Sequence, residues 1–219
     1  MTVDSMNEVV ENFRSIYAII SAIAIAEAFN QAVKEREPEA ERHASTLRSW
    51  FDCIHPTRIV SLVVFLMLAV PFFQGNQRYL YLQYLQPLYS AHPPKTISAL
   101  WLNFDCLTFS MEAGLFFVMS RSLSARRWQQ FYGTIAFLMF VDFVWAVLEL
   151  WHGAGVPHAW LWFDLAAALA LSAMIVIDWR FVRYDRGKQL NIYCFAAVSA
   201  IAILGLIYGY FIQLDYLIE

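Results

Sequence analysis

The chain has 219 residues, of which 60% are hydrophobic and 15% charged, with a formal net charge of −3. Soluble domains carry about a quarter charged residues, so this composition points away from a water-soluble globule. A weakly acidic balance offers no basic surface for nucleic acid, and Cys53, Cys106 and Cys194 are too few and too scattered for a disulfide framework or a zinc site.

The apolar residues fall in long runs, and about 18 or more in succession can cross a hydrocarbon core of about 30 Å. In chain order the predicted spans cover 13–33, 59–73, 97–119, 131–151, 160–179 and 192–212. Their sum is an all-α, polytopic membrane helical bundle of about six transmembrane helices, forming one transmembrane domain over 1–219. The N-terminus carries Asp4, Glu8 and Glu11, whereas a cleavable signal peptide begins with a basic region. The second span can extend past Pro71 with a kink there, because bilayer helices tolerate interior proline.

Basic residues test this layout independently. Lys34, Arg36, Arg42, Arg48 and Arg58 fall between spans one and two. Arg121, Arg126 and Arg127 fall between three and four, and Arg180, Arg183, Arg186 and Lys188 between five and six. Only Arg14, Arg78 and Lys95 lie elsewhere. Cytoplasmic loops collect Lys and Arg. The expectation is therefore a multi-pass protein of the plasma (inner) membrane with loops one, three and five in the cytoplasm and both termini outside.

Within the first loop, over 36–56, Ala44, Leu47, Trp50, Phe51 and Ile54 recur at helical spacing among charged residues. This reads either as an amphipathic helix on the cytoplasmic interface or as an extension of span two. On the opposite side, Tyr79–Tyr89 alternates tyrosine and leucine with glutamine, the composition of an aromatic belt or of a re-entrant segment. Span five is alanine-rich, and span six holds Gly205 and Gly209 as a GxxxG. Such small residues favour close helix packing within the bundle or in a homo-oligomer.

The chemistry-bearing feature is acid inside the spans. Glu27, Asp105, Glu112, Asp142, Glu149, Asp164 and Asp178 all lie in predicted helices, with Arg14 the one basic residue clearly inside a span. A carboxylate at bilayer depth costs about 2.5–3.5 kcal/mol even on the lenient insertion scale, so such groups face protein or water. Asp105 and Glu112 are seven residues apart and share a helix face, with Thr108 between them. Asp142 and Glu149 repeat the spacing around Trp145, and Asp164 and Asp178 are fourteen apart on span five. If these stripes face one another they form an acidic seam. The acids can remain protonated, share protons or bind cations. The bland counterpart is a set of structural acids hydrogen-bonded to Tyr, Trp, Ser and Thr. Arg14 is the candidate charge partner for Asp164 or Glu149, or else a snorkelling interfacial arginine.

Glu149 and His152, three residues apart, form a weak candidate metal pair. Haem is disfavoured because no histidine lies deep in a span, and no dinucleotide or phosphate-loop motif occurs, so no cofactor is expected. The functional expectation is a proton or cation pathway lined by Asp105, Thr108, Glu112, Asp142, Glu149 and Asp164. The alternatives are a non-catalytic subunit, sensor or effector that docks a cytoplasmic protein through its basic loops, and a membrane-embedded enzyme acting on a lipid. No nucleic-acid partner is expected.

Overall fold

The computed structural model describes residues 3–33, 56–89, 98–123, 128–152, 158–177 and 207. Among these residues all regular secondary structure is helical. The α-helices are α1 (Val3–Val33), α2 (Pro56–Leu80), α3 (Ala99–Ser120), α4 (Trp128–His152) and α5 (His158–Ile177). The predicted span over 192–212, apart from residue 207, and the loop helix over 36–55 lie outside the described residues; residue 56 opens α2.

Four segments are long and apolar enough to cross a membrane: Ser5–Ala32, Arg58–Leu85, Ala99–Ser120 and Gln129–His152. With a rise of about 1.5 Å per residue, 20 to 22 residues match a hydrocarbon core of about 30 Å. α5 carries a shorter apolar stretch, over Leu161–Ile177.

Two helices exceed their predicted spans. α1 begins at Val3 rather than near Phe13. Its first turns carry exposed Glu8 and Glu11, while Met6 and Val10 are buried in register with Tyr17. That four- and seven-residue spacing makes the start of α1 an amphipathic extension whose acidic face conceals it from a hydropathy reading. α2 continues through Pro71 to Leu80, then widens into a π-helical segment (Tyr81–Leu85) and tightens into a 3-10 turn (Gln86–Tyr89). The aromatic segment over Tyr79–Tyr89 thus begins as a continuation of α2 rather than as a separate belt.

Polarity runs opposite to that of a water-soluble bundle. On α3 the buried stripe is Leu102, Asp105, Phe109, Glu112, Phe116 and Met119, a strict alternation of three- and four-residue steps. Its outward face presents Leu100 at 76% and Leu107 at 70% exposure. α4 repeats this, with Asp142, Trp145 and Glu149 inward and Phe137, Phe140, Val144 and Trp151 outward. A helix in water puts its charges outside. Carboxyls inside and large apolar residues outside suit a surrounding solvent of lipid tails, where only satisfied or shared polar groups are tolerated.

α1 packs along α2 and α3, α4 packs along α3, and α5 packs along α4. The interior divides into two apolar clusters. One contains Phe65, Phe72, Phe116, Met139 and Ala168; the other contains Tyr17, Phe109, Ala113, Trp145 and Leu161. Glu112 falls between Phe109 and Phe116 on α3, Asp142 between Met139 and Trp145 on α4, and Asp164 between Leu161 and Ala168 on α5. Three helices therefore each place one carboxyl at the level where the two clusters meet.

Candidate functional site: a buried carboxyl seam

Seven-residue spacing returns a helix to nearly the same face, so Asp105 and Glu112 stand about 10 Å apart along α3, as do Asp142 and Glu149 along α4. The two helices are joined by a short connection and run antiparallel. That pairs Asp105 with Glu149 and Glu112 with Asp142. α5 then adds Asp164 beside Asp142. All five carboxyls are buried, none more than 2% exposed.

The Asp105–Glu149 pair is richly supplied with donors. Tyr84 donates its hydroxyl to Asp105 Oδ2 at 2.5 Å, and Trp145 donates Nε1–H to Oδ1 at 2.8 Å. Tyr79 donates to Glu149 Oε2 at 2.6 Å. The Asp105 and Glu149 carboxyls also contact each other at hydrogen-bonding range. Glu149 Oε1 has no donor of its own.

The π-helical segment explains how both tyrosines reach this pair. Asn76 and Tyr79 share a face of α2, three residues apart, and an unbroken α-helix would continue that face to Gln83. The Gln86 backbone N–H instead bonds to the Tyr81 carbonyl, five residues back. The wider turn absorbs one extra residue and delivers Tyr84 in place of Gln83.

The Glu112–Asp142–Asp164 triad is anchored at Glu112 by a neutral amide donor. Asn76 Nδ2 bonds to Glu112 Oε2 at 2.6 Å and to the Tyr17 hydroxyl oxygen at 3.0 Å, tying α1, α2 and α3 together. Asp142 makes side-chain hydrogen-bonding contact with Glu112 on one side and with Asp164 on the other. Read as carboxylates, Glu112 Oε1 and both oxygens of Asp164 lack any donor. A buried unpaired carboxylate costs several kcal/mol, so this arrangement is stable only with protons or a cation among the oxygens.

An aromatic layer separates the two groups. The Trp145 ring lies 4.9 Å from Tyr79 and 5.4 Å from Phe109, and Tyr79 and Phe109 meet edge to face at 6.0 Å. Phe109 is fully buried midway between Asp105 and Glu112 on α3. Beyond it, Tyr17 stacks on Phe73 at 5.6 Å.

The remaining site residues from the sequence fall elsewhere. Thr108 is buried, with its hydroxyl donated to the Phe104 carbonyl of its own helix at 3.0 Å. Arg14 does not meet Asp164 or Glu149. It bonds to Glu11 at 2.9 Å and to Gln77 Oε1 at 2.7 Å, and Gln77 bonds back to its carbonyl. Glu11 lies one turn away on the same helix face and sits at the same wet margin, so it captures the guanidinium without desolvation. Glu149 is turned inward to Tyr79, whereas His152 is exposed and stacks on Trp101 at 4.1 Å. Among the described residues no group of three or more His, Cys, Asp and Glu is arranged to hold a metal. Glu27 is half-buried and accepts from Gln31 at 2.7 Å; Asp178 lies outside the described residues.

Asn76, Tyr79 and Tyr84 were not legible as site residues. Their one sequence signal was a polar, tyrosine-rich extension of an apolar run past Pro71. No family model matches the chain, nor does any curated protein or solved structure.

Proposed function

We propose that the chain is a small multi-pass membrane protein that moves protons through its helical bundle along Glu112, Asp142 and Asp164. The observation that carries this reading is the unbroken contact of three buried carboxyls from three helices, with Glu112 Oε1 and both Asp164 oxygens lacking donors. A purely structural acid is capped, as Asp105 is. A chain of acids whose oxygens face one another needs bound protons or a cation to be stable at all. Between two touching carboxyls the species that fits is a proton, which favours protons over larger cations.

The reading places the remaining elements. Residues 192–212 form a sixth span, loops one, three and five face the cytoplasm, and the termini face outward in a plasma membrane. Ser21, buried one turn along α1 from Tyr17 and without a hydrogen-bond partner, is the nearest further hydroxyl of α1 to extend the path.

Purified protein in liposomes under a proton gradient should collapse that gradient, and Asp142→Asn should abolish the flux, because an amide can neither share nor relay the proton. Equal flux in the variant and the parent would end the proposal.

A further inference from the structure

The members of the triad are not equivalent. Glu112 has one oxygen fixed by Asn76 and faces Asp142 with the other. Asp142 is flanked by a carboxyl on each side. Asp164 is wholly buried, and neither of its oxygens has a donor, while only one is needed to meet Asp142. Two carboxyl–carboxyl contacts have room for two shared protons. Three carboxyls with two protons keep one negative charge and leave one Asp164 oxygen with nothing to bind.

We infer that Asp164 is the proton-exchanging residue of the triad, its second oxygen taking a proton from a water-borne donor and returning it. The inference rests on the proton reading above and assigns its exchange step. In that step a hydronium O–H breaks, an O–H forms on Asp164, and water leaves. The triad goes from one negative charge to neutral, with no other bond changed. Among the described residues the ionisable groups facing Asp164 are Asp142 from α4 and Glu112 from α3.

Placement agrees with chemistry. Asp164 is the end member of the row, on α5, which among the described elements packs along α4. Asp142 is enclosed between two acids, and one Glu112 oxygen is held by Asn76. Of the three, only Asp164 keeps an acceptor open once the contacts within the row are made.

The test pairs two measurements on the full chain in liposomes. Infrared spectroscopy at neutral pH should show a protonated-carboxyl C=O band that shifts in heavy water and weakens in Asp164→Asn. Proton flux should be lost in Asp164→Asn and kept in Asp164→Glu, which preserves the carboxyl and guards against a folding defect. Absence of the band in the parent, or an unchanged band in Asp164→Asn, overturns the inference. So does undiminished proton flux in Asp164→Asn, or a flux in which sodium replaces the proton. If the parent moves no protons, the functional proposal fails, and the infrared comparison alone then decides whether Asp164 is the exchanging site.

Discussion

The Asp105–Glu149 pair and the Glu112–Asp142–Asp164 triad lie two helical turns apart on the same helices, yet they are held in opposite ways. The pair is surrounded by Tyr79, Tyr84 and Trp145, so that both Asp105 oxygens and one Glu149 oxygen receive a donor from an aromatic side chain. The triad receives an amide from Asn76 at Glu112, and its carboxyls contact one another. The difference teaches that burial of an acid is not by itself a functional sign. The pair comes close to the ordinary condition for a buried polar group, a full set of partners, with donors on three of its four oxygens. The triad meets it only with protons that the protein does not covalently supply.

The contrast is broken most severely by removing the layer between the two groups. Phe109→Ala leaves a cavity between Asp105 and Glu112 and should cost about 3–5 kcal/mol in a denaturant unfolding series. In the surviving folded protein it should raise proton flux, because the aromatic barrier separating the acids is opened. Unchanged flux would mean that Phe109 separates nothing.

A smaller effect sharpens the structural half. Tyr84→Phe strips the donor from Asp105 Oδ2 and should lower stability by about 0.6–1.7 kcal/mol, the range for interhelical hydrogen bonds in bilayers. Flux per folded molecule should not change. Loss of flux with intact stability would show that the pair is part of the path.

The smallest effect concerns Arg14. The Arg14–Glu11 pair is partly exposed, with side chains 27% and 51% accessible. Arg14→Gln should therefore change stability by no more than about 1 kcal/mol, and less at high salt. Proton flux should be unaltered. A large loss would restore the pairing with the intramembrane acids that spacing and depth suggested.

The helical class, the four long apolar segments and the inward stripes of α3 and α4 were legible because seven-residue spacing maps directly onto a helix face. Asp105 and Glu112, and Asp142 and Glu149, could each be put on one helix face on that ground, whereas a common seam followed only if those faces met. Which of them were capped could not be read, because two of the caps, Tyr79 and Tyr84, come from the end of α2 and the irregular turn that follows it. Tyr84 reaches Asp105 only because the π-helical segment adds a residue, and a regular helical count puts Gln83 there. The partner of Arg14 was missed for a different reason. Glu11 lies in the amphipathic start of α1, where low hydropathy gave no hint that the helix was already under way.

The most direct measurement compares Asp142→Asn with Asp105→Asn in liposomes, with flux normalised to folded protein. Asp105→Asn turns an amide N–H₂ toward one of two existing donors and should destabilise the bundle while leaving the path intact. The account predicts loss of proton flux in Asp142→Asn and its retention in Asp105→Asn. Equal loss in both, or equal retention in both, would contradict it.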